Sequence, residues 1–90
     1  MKETQRTLEA YAYGEGDVVV NTAGMTDGQI RVLEVELEIS EFETLEEIND
    51  IADRFKEFKS VHDVFDYYVD ERDMDKSDAH YISLAFIEEN

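Results

Sequence analysis

The sequence predicts an α+β domain, a small mostly antiparallel sheet with two helices on one face, in the order β-β-β-α-α-β. Three observations predict it. Ile30 to Ile39 alternates apolar and acidic side chains, the period of a half-buried strand. Thr44 to Lys59 and Ser60 to Arg72 repeat apolar residues at helical spacing, each behind a capping residue. The 90 residues hold no Pro, no internal repeat and no linker, which suits one acidic domain, 1–90, with one modest core.

Thr7 to Tyr13 is short and aromatic and runs into Gly14-Glu15-Gly16-Asp17, so it reads as a strand ending in a turn. The β-branched Val18-Val19-Val20 reads as a second strand, and Asn21 to Gly28 as a loop. In the third strand Leu33, Val35, Leu37 and Ile39 take one face and Glu34, Glu36 and Glu38 the other. The first helix starts at a Thr44–Glu47 capping box. It sets Leu45, Ile48, Ile51, Ala52, Phe55 and Phe58 against an opposite row of Glu46, Asp50, Asp53 and Glu57. The second starts at Ser60, with Val61, Val64, Phe65, Tyr68 and Val69 inward and Asp63, Asp66 and Asp70 outward. Tyr67 is expected exposed beside those acids. Asp70 to Asp78 reads as a charged loop and His80 to Ile87 as the last strand, with Ile82, Leu84 and Phe86 on one face.

The net charge of −16 sits mostly on these regular elements. Glu34 to Asp70 holds 13 of the 24 acidic residues and three of the eight basic ones, a net of −10. Such a field repels nucleic acid and anionic lipid and attracts basic surfaces, with strong salt dependence. Row spacings would be roughly 6.8 Å on the strand and 5.4 Å on each helix. Side by side, three such rows would carry about one charge per 1.9 Å, against about one per 1.7 Å of duplex DNA axis. A bland alternative is a solvated face that only keeps the domain soluble.

The remaining chemistry is sparse. With no Cys, thiolate sites and disulfides are excluded. His62 and His80 lack a metal-spaced partner and read as structural or surface residues. Asp73 to Asp78 starts like a calcium loop, but Asp78 stands where Gly is needed and Leu84 where Glu is needed. No carboxylate pair is set apart as acid and base, so no catalytic residue, metal site or cofactor is expected, and no enzyme. No apolar signal region or membrane-length run occurs, so the expected location is intracellular.

Ile39-Ser40-Glu41-Phe42-Glu43-Thr44-Leu45-Glu46-Glu47, leading into Ile48 to Phe58, resembles the ArdA-type antirestriction proteins, in which a Glu-aromatic-Glu-Ser/Thr-Leu-Glu run opens an acidic helix. Tyr13-Gly14-Glu15-Gly16 after a short strand is similar too. The resemblance covers about a quarter of the chain. It implies a phage- or plasmid-encoded protein that mimics DNA to block a restriction enzyme. Small acidic anti-CRISPR proteins share that logic and fit the length.

The expected function is therefore an acidic DNA-mimic inhibitor acting in the host cytoplasm. Its partner would be a basic protein, a nucleic-acid-binding nuclease or effector, with no direct binding of nucleic acid or membrane. Partner-binding candidates are Glu34, Glu36, Glu38, Glu46, Asp50, Asp53, Glu57, Asp63, Asp66, Tyr67 and Asp70. The alternative is an immunity- or antitoxin-like acidic module, or an anti-CRISPR that blocks a step other than DNA binding. Aromatic residues make up 11% of the chain, enough to leave some for a homodimer interface.

Overall fold

A computed structural model describes residues 7–87, and its main departure from the sequence reading begins at Thr26. Thr26 caps a helix, α1 (Asp27–Ile39). Its hydroxyl accepts from the Gln29 backbone N–H at 3.2 Å, and Gln29 Oε1 accepts from the Thr26 N–H at 2.9 Å. This reciprocal box satisfies two donors that a helix start otherwise leaves orphaned. The Leu33 to Ile39 run therefore winds at about 100° per residue instead of alternating. Ile30, Val32, Leu33 and Glu36 are buried, Val35 and Leu37 are half-buried, and Ile39 is exposed. The expected third strand is thus a helix. Leu and Glu both favour helix, and the cap outweighs a short run of period two.

The last expected strand is corrected in the same way. Lys76–Ile87 is a helix, α4, that buries Ala79, Ile82 and Ser83 at helical spacing with Phe86 half-buried beside them. Asp75 opens it: its carboxylate accepts from the Ser77 N–H at 3.0 Å and its carbonyl from the Ala79 N–H at 2.9 Å. The expected β-β-β-α-α-β order, with its three-stranded sheet start, gives way to β-β-α-α-α-α. Among the described residues there is one two-stranded sheet and four helices.

That sheet is an antiparallel hairpin, β1 (Leu8–Ala12) with β2 (Gly16–Val20), in register from Leu8 opposite Val20 to Ala12 opposite Gly16. Gly16 closes the turn at φ +87°, which a side chain would resist. The hairpin tip docks on the segment before α2 (Leu45–Phe55). Tyr13 N–H donates to the Phe42 carbonyl and Gly14 N–H to the Glu43 carbonyl, both at 2.8 Å. Glu15 Oε1 accepts from the Leu45 N–H at 2.9 Å. The Tyr13 to Gly16 and Glu41 to Leu45 segments are thereby joined in space.

α2 follows its expected pattern, with Ile48, Ala52 and Phe55 buried. It stops at Phe55 and turns tightly, Phe58 N–H donating to the Phe55 carbonyl at 3.1 Å. The Gln29 amide holds that turn by donating to the Lys56 and Phe58 carbonyls at 3.2 and 2.8 Å. Ser60 then caps α3 (Val61–Asp66), which widens into a π-helical segment, Tyr67–Glu71, closed by the Arg72 N–H on the Tyr67 carbonyl at 3.2 Å.

α1 packs against α2 and α4, α4 also against α3, and α2 against β2. The Cα envelope is a slab of 36 × 33 × 17 Å. Where α1 meets α4 the backbones nearly touch: a Cβ on Gly28 would lie 2.6 Å from the Phe86 carbonyl oxygen. Gly28→Ala must push the two helices apart. It is expected to cost about 1–3 kcal/mol in a urea melt, despite the better helix propensity of Ala.

Candidate acidic interface

The helical form of α1 decides which of its glutamates can reach a partner. On a strand Glu34, Glu36 and Glu38 would share a face. On a helix Glu36 turns about 160–200° away from the other two. It is 1% exposed, inside the fold. Arg72 Nη1 lies 2.9 Å from both its oxygens, and the Tyr68 hydroxyl donates to Oε1 at 2.7 Å. Arg72 also donates to the Ser40 and Tyr67 hydroxyls at 3.1 and 3.3 Å. Glu36 is thus a structural ion pair, and its expected exposure is corrected.

Tyr67 is corrected as well, being 6% exposed. It lies about 60° from Val64 around the helix, at the border of the apolar stripe, and the aromatic neighbours decide the outcome. Its ring centroid is 5.4 Å from Phe55, 5.5 Å from Phe58 and 4.9 Å from Tyr68. The Arg54 and Arg72 guanidinium carbons stand 5.0 and 5.9 Å from its centroid.

Burial, then the neighbouring Glu36 carboxylate, pushes the Tyr68 phenol well above its ordinary value. A raised folded-state value means that stability is complete below the unfolded tyrosine pKa of about 10 and is lost as pH rises beyond it. In that window unfolding releases the Tyr68 proton, so its contribution falls by about 1.4 kcal/mol per pH unit. Chemical melts above about pH 10, where the unfolded-state phenol ionises, are expected to show this loss in the wild type, and a slope shallower by up to one proton in Tyr68→Phe.

Four of the six described cations are spent on the fold itself. Arg72 holds Glu36, Arg54 bonds Glu57 and Glu71, and Lys56 meets Asp53 at 3.1 Å. The Glu71 hydrogen bond keeps Arg54 firmly charged. Arg31 is half-buried with a partner of its own. By contrast Glu38, Glu41, Glu46, Asp50, Asp66 and Asp70 are exposed and bond nothing among the described residues. The described surface is therefore left with carboxylates whose countercharge lies elsewhere in the fold or is missing.

These carboxylates form two surfaces. Glu46, Asp50 and Asp53 line the exposed side of α2, and the row continues into Glu57. There it meets α3 and the π-helical segment at a groove of about 300 Å³. Glu57, Asp63, Asp66, Asp70 and Glu71 line it together with Arg54, Phe58 and Tyr67. Asp63 has a structural duty too, its carboxylate accepting from the Lys59 N–H at 2.8 Å while its own N–H donates to the Ser60 hydroxyl at 3.4 Å. Two helical rows meeting here give about one charge per 2.7 Å where they run together, less dense than three.

Glu34 and Glu38 lie on the second surface. Their groove, about 390 Å³, is shared with Glu9, Glu41, Tyr11 and Tyr13. The sequence reading missed Glu71, Glu9, Glu41 and the two tyrosines as site residues. The spacing of Glu9, Tyr11 and Tyr13 by two on a strand was the available signal that they share a face. His62 and His80 both line a third, mostly apolar groove between α3 and α4 with Val61, Phe65 and Leu84.

No group of three or more His, Cys, Asp or Glu among the described residues could hold a metal ion, and no described helix is long and apolar enough to cross a membrane. Comparison with protein-family models, curated proteins and solved structures finds no match to the chain.

Proposed function

We propose that the protein is an acidic DNA-mimic inhibitor of a basic nucleic-acid-binding protein, a restriction or CRISPR–Cas nuclease of a host cell in whose cytoplasm it acts. The observation that carries the reading is the division of charge. Four of the six described basic side chains, Arg31, Arg54, Lys56 and Arg72, are tied up in the fold, while the carboxylates of α2, α3 and the π-helical segment face outward, many of them without a partner among the described residues. A rigid row of carboxylates can occupy a channel built for phosphates without paying to organise itself on binding. Arg and Lys of the channel would meet Glu46, Asp50, Asp53, Glu57, Asp66 and Asp70. Inhibition is then stoichiometric, competitive with DNA and weakened by salt, and no bond is cut. The ArdA-type resemblance supports the same reading, on two segments that the fold joins by hydrogen bonds. Displacement of DNA from preformed nuclease complexes tests it.

One observation favours the second reading, an immunity- or antitoxin-like module. Tyr11 and Tyr13 are more than half exposed on the other acidic surface, and a mimic of the phosphate backbone has no need of aromatic anchors there. On that reading the protein covers the basic active site of a toxin, and DNA competes for nothing.

A further inference from the structure

We propose that the exposed Tyr11–Tyr13 face of the hairpin is a receptor for an arginine-bearing segment of the basic partner. The inference rests on the partner being a basic protein, which both readings above share, and not on DNA mimicry.

The two rings are 56% and 55% exposed and meet edge to face at 5.2 Å. Tyr11 stands on β1 with Glu9 and Tyr13 in the turn that follows, and the groove they line is also lined by Glu38 of α1 and Glu41 of the following loop. No Arg or Lys lines this groove, and none among the described residues stacks on either ring.

The same protein shows what such a constellation holds. Arg54 stands over Tyr67 and Phe58, 5.0 and 5.9 Å from the centroids, while bonding Glu57 and Glu71. Arg72 stands over Tyr68 and Tyr67 at 5.5 and 5.9 Å while bonding Glu36. Both guanidinium sites combine an aromatic ring with a carboxylate. The hairpin groove offers those two ingredients on the outside. A planar, weakly hydrated guanidinium can lie on a ring and bond a carboxylate at once, whereas a compact ammonium keeps its water. The face should therefore prefer Arg to Lys at equal charge, which a bare acidic row would not. A second copy of the chain is a poorer occupant, because it brings another net charge of −16.

The probes are hexa-arginine and hexa-lysine peptides of equal length and charge, titrated into the full chain at physiological salt by fluorescence anisotropy. Hexa-arginine is expected to bind about 3- to 5-fold tighter and to shift the Tyr11 and Tyr13 ring resonances. Tyr11→Thr/Tyr13→Thr is expected to erase that ratio and leave hexa-lysine binding unchanged. Asp66→Asn/Asp70→Asn should weaken both peptides alike and preserve the ratio. If the threonine pair fails to fold by circular dichroism, Tyr11→Leu/Tyr13→Leu carries the test with its apolar area kept. Equal affinities in the wild type, or a ratio that survives loss of both rings, overturn the proposal. So does a tyrosine-dependent dimer in sedimentation equilibrium, which assigns the face to a second copy. Loss of DNA mimicry in a displacement assay leaves this ratio untouched, so the two ideas fail separately.

Discussion

Arg72→Ala is expected to lower the unfolding free energy by about 3–5 kcal/mol, the loss that follows when one partner of a buried ion pair is removed. Glu36 is 1% exposed and takes its charged contacts from Arg72 alone among the described residues. Without the guanidinium it keeps one hydrogen bond, from the Tyr68 hydroxyl. The substitution also takes a cation from beside Tyr67 and Tyr68 and a donor from Ser40. Arg72 is 31% exposed, so water enters in part and the lower half of the range is favoured. Even so, total stability for a domain is only about 5–15 kcal/mol, and thermal melting should shift down by roughly 12 °C or more. The triple variant Glu36→Met/Tyr68→Phe/Arg72→Met removes the charges and the hydroxyl together. It is expected to recover most of the loss, because no buried charge is then stranded and only the Tyr67 hydroxyl gives up a long hydrogen bond. Urea melts of the single and triple variants check both statements. A single variant as stable as wild type would mean that Glu36 is solvated.

Reversing charge at Glu46, Asp50 and Asp53 to Lys is expected to abolish inhibition of the target while leaving the fold in place. All three are exposed, and only Asp53 has an ion pair, with Lys56. The structural cost is the loss of helix-dipole support at Glu46 and of a surface pair, roughly 0.3–1 kcal/mol each. The binding cost is larger. Each reversal puts like charge against a basic channel, at about 1–2 kcal/mol apiece, so the triple variant should bind on the order of 10²–10⁴-fold more weakly. Competition binding on a variant with wild-type circular dichroism checks it. Full inhibition by that folded variant would remove α2 from the interface.

Much of this could be read from the sequence, for identifiable reasons. The hairpin, α2 and α3 carried their own punctuation: Gly14 to Gly16 for the turn, and Thr44 and Ser60 for the caps. The α2 acids were legible because capping fixes the helix phase, and phase decides exposure. α1 was misread because Leu33 to Ile39 satisfies period two as written. The deciding signal is Thr26, inside the Asn21 to Gly28 stretch read as loop, with Gln29 just beyond it. That one error moved Glu36 from surface to core. α4 was misread because Asp75, its opening residue, was absorbed into a charged loop. Tyr67 could not be settled from one helix, since its burial comes from Phe55 and Phe58 across a turn.

The most direct test of the functional reading is a DNA-displacement titration. The protein is added to preformed DNA complexes of a type I restriction enzyme, a Cas effector and a basic chromosomal protein, at several salt concentrations. DNA mimicry predicts that one complex releases its DNA at near-equimolar protein, with the protein's hold weakening steeply as salt rises. Release from none of them, or from all three only at large excess, would contradict it and leave the acidic rows as a non-specific field.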